Sequence, residues 1–203
     1  MQIDCFVSTL DNTPNRIRWS QQTLEALTED PALHITVVDA GSSPEHLAWC
    51  RQKGFSLVQQ PKEGSLHRRF LLAEALAQSE YYLFSDNDVL PRTEYWLARG
   101  LDVLRRHPQF GLAVYRMVHC DFGFDHQFND AEIKSITKGG GLSLIKRGCR
   151  TAPFTPPLVF NPSDADDAQY CRAIQKSGFL VGQFEQLYIE HIGRSESTCQ
   201  QLS

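Results

Sequence analysis

No apolar-rich run in this sequence approaches the roughly 20 residues that a membrane-spanning helix needs. Stretches such as Ala113 to Val118 and Phe179 to Val181 stop far short. Met1-Gln2-Ile3-Asp4-Cys5 lacks a basic segment followed by an apolar one, so it does not read as a signal peptide and a cytoplasmic protein is expected. Paired cysteine spacing is missing as well. Cys5, Cys50, Cys120, Cys149, Cys171 and Cys199 are scattered, which argues against a zinc ribbon or a redox dithiol and leaves small, free, buried thiols. Neither sign of charge is in large excess: the formal net charge is −4 and charged residues make up 22%. Such a composition has no general attraction for nucleic acid or an anionic membrane, so an anionic ligand must be held locally. Internal repeats and low-complexity tracts are also lacking.

Core-forming residues are plentiful and ordered. Hydrophobic residues are 41% of the 203, enough for one unit with a real core. The first half alternates β-rich and helical runs, the pattern of a largely parallel sheet covered by helices. Ile3 to Thr9 reads as the first strand, Asp11-Asn12-Thr13-Pro14 as a turn, and Arg16 to Thr28 as a helix with Ile17, Leu24 and Leu27 at helical spacing. Ile35 to Val38 is uncharged and β-branched, as a strand buried on both faces should be. Asp39-Ala40-Gly41-Ser42-Ser43 follows at the carboxyl edge, where open α/β sheets bind ligands. Next come a helix from Glu45 to Lys53, a strand from Ser56 to Gln59, a helix opened by Gly64, and a strand from Tyr81 to Ser85.

Pro91 and Thr93 are expected to start another helix that runs to about His107. The second half is less regular. It reads as a strand from Gly111 to Val118, an aromatic and acidic loop from Asp121 to Asp130, and a turn at Gly139-Gly140-Gly141. A connection marked by Pro153, Pro156, Pro157 and Pro162 leads to a helix from about Ala165 to Lys176, closed by Gly178, and a last strand near Leu187 ends at His191.

Asp86-Asn87-Asp88 is the sharpest local feature. Two carboxylates one residue apart, at the end of an apolar strand, project toward the ligand edge and suit a hard divalent ion that neutralises a diphosphate. An acidic strand-to-helix turn explains the triplet equally well when it is taken alone. Its context adds weight. Val7-Ser8-Thr9-Leu10, Val37 to Ser43, Gly64 with Arg69 five residues on, and Phe84 to Asp88 resemble, in order and spacing, the nucleotide-binding half of family 2 glycosyltransferases.

That resemblance implies an α/β protein of the GT-A fold, a Rossmann-like nucleotide-binding mixed sheet flanked by helices with a smaller acceptor-binding half. Residues 1–203 would form one domain, with 1–108 the nucleotide-sugar half and 109–203 the acceptor half and tail. Ser8, Thr9 and Asp39 would hold the nucleoside, usually uridine, and Arg69, with Arg68 as a substitute, would contact the donor. Asp86, Asn87 and Asp88 would occupy the family's DXD element. Asp88 would ligate Mn2+ or Mg2+ directly, and Asp86 would reach the ribose or a metal-bound water.

The second half extends the likeness. Asp166 to Arg172, followed by Gly178, resembles the segment that carries the family's catalytic base, which falls on Asp166. The preceding family glutamate is Ala165 here, which leaves Asp164 and Asp167 as competitors, and an acidic helix start is the structural alternative. His191 in Glu190-His191-Ile192-Gly193 matches the histidine that closes the metal site, although a lone histidine at a strand end is commonly structural. Lys138 and the glycine turn fall where the family places a loop under the acceptor and donor sugar. Phe122, Phe124 and Phe128 are candidates for an aromatic acceptor platform or for the core. Arg150 and Arg194 are further candidate phosphate contacts.

The implied activity is metal-dependent transfer of a sugar from a nucleoside diphosphate sugar, expected to be a UDP-sugar, to an acceptor the sequence does not identify, with inversion. The Gln-x-x-Arg-Trp element of processive synthases is absent, since Arg16-Ile17-Arg18-Trp19 lies in the wrong half, so single addition is expected. Phe84 to Val89 also resembles the nucleophile motif of haloacid dehalogenase-type phosphohydrolases, but three βα units precede it here. A sugar-nucleotide pyrophosphorylase would need a glycine-rich, basic signature where Leu10 to Pro14 stands. A nucleotide-binding module without turnover would keep Asp39, Asp86 and Asp88 and need no base.

Overall fold

A computed structural model of the chain describes residues 2–60, 66–118, 131–137, 139–153 and 166–193. Gly64, Cys120, Phe122, Phe124, Phe128, Lys138, Pro156, Pro157, Pro162, Asp164, Arg194 and Cys199 lie outside the described residues. For Arg68 and Asp166 the description extends to the backbone only.

The amino-terminal half builds β1 (Ile3–Thr9), α1 (Pro14–Thr28), β2 (Leu33–Asp39), α2 (Pro44–Gln52), β3 (Ser56–Gln59), α3 (Leu66–Leu76) and β4 (Tyr81–Ser85). Two of its helices start by the same chemistry. Thr13 and Ser43 each accept a hydrogen bond from the backbone three residues on, Arg16 N–H and His46 N–H, and Pro14 and Pro44 follow each cap. A capping hydroxyl satisfies a donor the first turn leaves open, and proline at the first helical position gives up a donor that would be unpaired anyway. The chain continues through β5 (Val89–Pro91), α4 (Trp96–Arg106), β6 (Phe110–Val118), β7 (Ile133–Ser135), β8 (Leu142–Lys146), α5 (Asp166–Lys176) and β9 (Leu180–His191).

The strands form one sheet in the order β3-β2-β1-β4-β8-β6-β9-β5, with β7 added beside β9. Pairs β1–β2, β1–β4 and β2–β3 are parallel, whereas β8 runs antiparallel to both β4 and β6. The sheet is therefore mixed and draws strands from both halves of the chain. Alternation along the strands divides the core. Cys5, Val7, Val37, Tyr81 and Leu83 face Leu24 and Leu27 of α1 and Leu97 and Leu104 of α4. Their neighbours Phe6, Val38, Tyr82 and Phe84 face Phe70 and Ala73 of α3 and Tyr170 and Ile174 of α5. A period of two on a strand buries both sets only if helices cover both faces.

Phe70 lies between Phe84 and Tyr170, stacked at ring-centroid distances of 3.9 and 4.6 Å. These rings tie α3 and α5 to the same sheet face. Cys5, Cys50, Cys149 and Cys171 are free and buried, in line with the sequence reading.

The segment after the acidic triplet departs from expectation. Pro91 and Thr93 do not open a helix. Val89–Pro91 pairs antiparallel with Ile189–His191, and α4 begins later, after Tyr95, which has the left-handed φ of 53°. Pro91 ends a three-residue strand at the sheet edge, a position proline tolerates. Thr93 Oγ1 accepts from Tyr188 N–H at 2.7 Å rather than capping a helix. The glycine turn leads into the strand β8, as a turn between strands would. No described helix is long and apolar enough to cross a membrane.

Candidate active site

The acidic triplet leaves β4 at the carboxyl edge and is held by three different parts of the chain. Asp86 N–H donates to Gly141 C=O at 2.7 Å, and Gly141 N–H donates back to Asp86 Oδ2 at 3.1 Å. Asn87 Nδ2 donates to Asp11 Oδ1 on the loop after β1. Asp88 C=O accepts from Ile192 N–H at 2.8 Å, and Val89 N–H donates to Thr23 Oγ1 of α1 at 3.1 Å. The β5–β9 register sets Val89 opposite His191. As a result His191 Nε2 stands 3.3 Å from Asp88 Oδ2, each side chain about one-fifth exposed at 19% and 20%. Gly193 packs so close that a Cβ there would fall on the Asp88 carboxylate.

These groups line a cavity of about 290 Å³ together with Ser8, Leu10, Arg16, Trp19 and Arg69. Arg69 donates to Ser8 Oγ, which fixes the guanidinium over the end of β1. Ser8, Arg69, Asp86, Asn87, Asp88 and His191 thus line one cavity. Thr9 and Asp39 do not. Both are fully buried, and the Asp39 carboxylate accepts from Thr9 Oγ1, Gly41 N–H and Ser42 N–H. Burial raises the Asp39 pKa, but these hydrogen bonds outweigh it and hold the carboxyl below its ordinary value. On this geometry Asp39 shapes the β2–α2 loop.

Electrostatics single out Asp86. Burial, and then the charges of Asp88 and Asp167, push its pKa up to about 7, with His191 and the Gly141 N–H opposing. Asp167, at the start of α5, therefore acts on the same cluster. Its Oδ2 would lie 2.6 Å from a Cβ placed on Gly140, so the glycine turn lets the helix approach the triplet. Arg150 belongs elsewhere: it binds Glu74 Oε2 at 2.8 Å and Ala152 C=O at 2.8 Å, and Glu74 also accepts from Tyr170 OH at 3.2 Å. It ties α3 to the loop after β8 and is not among the residues that line the cavity.

Leu10, Arg16, Trp19 and Asp11 were not singled out by the sequence reading. Arg16 and Trp19 are three apart on α1, directly after the strand that carries Ser8, and that spacing placed them on one helix face. Asp11 gave no signal, because a turn aspartate looks the same whether exposed or buried.

The donor set fits a hard or borderline divalent ion. Asp88 and His191 offer carboxylate oxygen and imidazole nitrogen to the cavity, and the Asp86 carboxyl lines it beside them. Among the described residues no cluster of three or more such side chains forms a complete cage. Mg2+ is usually held by only one or two carboxylates, with waters and substrate phosphates filling its other positions.

No protein-family model and no curated protein sequence matches the chain. Solved structures do match in shape. The mannosyltransferase PcManGT from Pyrobaculum calidifontis, in complex with GDP-Man and Mn2+, aligns over 98% of this chain and 59% of its own, with TM-score 0.69 and 20% identity. TarS residues 1–349 from S. aureus, in complex with UDP-GlcNAc, aligns over 96% and 61%, with TM-score 0.69 and 15% identity. GalNAc-T7 with UDP, GalNAc and Mn2+ aligns over 96% and 44%, with TM-score 0.70 and 13% identity. The chain has the GT-A glycosyltransferase fold and spans 44% to 61% of the length of these three structures.

Proposed function

We propose that this chain is a glycosyltransferase that moves a sugar from a nucleoside diphosphate sugar, with UDP-sugar as the first donor to test, to an acceptor hydroxyl. The observation that carries the reading is the Asp88–His191 pair, 3.3 Å apart on a cavity wall that also presents Asp86, Ser8 and Arg69. That cavity lies at the carboxyl ends of β1 and β4, where a ligand of an open α/β sheet sits.

In this reading Asp88 and His191 hold Mn2+ or Mg2+, which supplies charge neutralisation at the diphosphate. The Asp86 carboxyl, its pKa raised to about 7, stands beside the pair, and Arg69 lends its guanidinium to the anionic donor. Ser8 orients Arg69 through their hydrogen bond. Asn87 keeps the two flanking aspartates in place from its bond to Asp11.

A carboxylate of the α5 start takes the acceptor proton. Asp167 is close enough to raise the Asp86 pKa and is taken as the base, with Asp166, whose side chain lies outside the described residues, as the alternative. As the proton passes to Asp167, the acceptor oxygen bonds to the anomeric carbon, and the bond from that carbon to the diphosphate oxygen breaks. Direct displacement of this kind inverts the anomeric centre. The lack of a processive-synthase element fits a single addition.

Titration of the full chain with UDP, GDP and CDP, each with and without Mn2+, tests the proposal. Binding of one nucleotide that disappears with EDTA and in Asp88→Ala is expected. Indifference to all three nucleotides would overturn it.

A further inference from the structure

We propose that Asp11 is a positioning residue for the acidic triplet: by holding Asn87 from beneath, it sets how Asp86 and Asp88 present their carboxylates. The inference rests on the site reading above and adds a residue that no ligand in that reading touches.

Asp11 follows β1 and is fully buried, at 0% exposure. Its carboxylate has two sides with different duties. Oδ1 accepts from Asn87 Nδ2, the middle residue of the triplet. Oδ2 lies 3.2 Å from Nε2 of His46, which is also fully buried. Ser20 Oγ and Cys50 Sγ each lie 3.4 Å from the same His46 nitrogen. The backbone of Asp11 is anchored at both ends by the β2–α2 loop: Asp11 N–H donates to Ser42 Oγ at 2.8 Å, and Ser43 N–H donates to Asp11 C=O at 2.8 Å. Ser42 N–H in turn donates to Asp39 Oδ1 at 2.9 Å. One polar chain therefore joins the loops after β1, β2 and β4 at the ligand edge.

A carboxyl and an imidazole sealed from water cost free energy that apolar residues of similar size would not. A role limited to tying α1 to α2 would be served as well by packing. The side of Asp11 turned toward Asn87 is not needed for the His46 contact, and it is the side nearest the cavity. Asn87 flanks both carboxylates directly along the chain, so its rotation moves them both. Partners one step behind a ligand set orient it, and their removal typically costs about 10- to 100-fold in metal affinity.

The test is Mn2+ binding to the full chain in the presence of UDP or GDP, read by the electron paramagnetic resonance signal of free Mn2+. Asp11→Ala is expected to weaken Mn2+ binding by about 10- to 100-fold. Asp11→Asn is expected to stay close to wild type, since its amide oxygen still accepts from Asn87. The double variant Asp11→Ala with Asn87→Ala is expected to bind no more weakly than the weaker single variant, because both remove one contact. Wild-type affinity in Asp11→Ala, or effects that multiply in the double variant, would overturn the inference alone. Wild-type protein that binds none of UDP, GDP and CDP would overturn the site reading and this inference with it. Should Asp11→Ala not fold, Asn87→Ala and Asp11→Asn decide the matter: the first must weaken binding and the second must not.

Discussion

Asp86 and Gly141 are locked together through two hydrogen bonds, Asp86 N–H to Gly141 C=O at 2.7 Å and Gly141 N–H to Asp86 Oδ2 at 3.1 Å. Gly141 adopts φ 79°, a left-handed conformation that side chains disfavour. A Cβ there would also stand 2.7 Å from Met117 Cε and 3.1 Å from Ile189 Cδ1. Gly141→Ala is expected to cost about 1–3 kcal/mol from backbone strain and to lower nucleotide-dependent Mn2+ affinity. Gly148 provides the control, because it has φ 77° with open space around it. Gly148→Ala should show a similar backbone penalty in thermal unfolding but keep wild-type Mn2+ affinity. Equal affinity in the two variants would break the link between the turn and the triplet.

Gly193 offers a second route to the same site without removing a ligand. A methyl group at this position would collide with the Asp88 carboxylate. Gly193→Ala and His191→Ala are each expected to lower Mn2+ affinity by at least about tenfold, the lower end of what loss of even an outer partner causes. Asp88→Asn should do more. Isothermal titration with Mn2+ and UDP would check this, and an unaffected Gly193→Ala would mean that Asp88 does not act where this structure places it.

Asp167→Asn separates binding from turnover. The carboxylate raises the Asp86 pKa, yet it has no place in the Asp88–His191 pair. Nucleotide and Mn2+ affinity should be retained, while release of nucleoside diphosphate from the donor falls by about 10²- to 10⁴-fold, the usual worth of a general base. If Asp166→Asn loses turnover and Asp167→Asn does not, the base is Asp166.

Local signals accounted for much of the fold. The bounds read from sequence for β1, β3 and β4 coincide with those observed, because each is a short run with apolar residues at its centre, flanked by turn formers. The failure at Val89–Pro91 has the opposite cause. Three residues do not make a strand by themselves, and this one exists only through pairing with β9 from the far end of the chain. Pro91 and Thr93 carried helix-start signals that tertiary pairing overrode. The same distance in sequence separates Asp88 from His191, so their facing was readable only through resemblance to a family. Asp11 was not readable at all, since what makes it part of the site is burial and aspect, which neighbouring loops decide.

The last prediction concerns pH, where opposing groups must be sorted by sign. Asp86 has a folded pKa raised to about 7, so between about pH 4 and 7 the folded protein keeps a proton that the unfolded chain has released. Stability then falls as pH rises through that window, by at most about 1.4 kcal/mol per pH unit for one group. Asp11 is also raised to about 7, chiefly by burial, but burial lowers the pKa of its partner His46. Below the ordinary histidine value of about 6.5 the two offset each other, since one holds a proton the unfolded chain lacks and the other lacks a proton the unfolded chain holds. Asp4 and Asp39 are lowered, so their stabilisation is complete above the ordinary aspartate value and is lost only as pH falls below it. Asp86 therefore sets the trend from weakly acid to neutral pH. The thermal midpoint in EDTA should be higher at pH 5 than at pH 7.5, and Asp86→Asn should flatten the difference. A slope that persists unchanged in Asp86→Asn would show that the carboxyl is not held protonated by burial and by its two acidic neighbours.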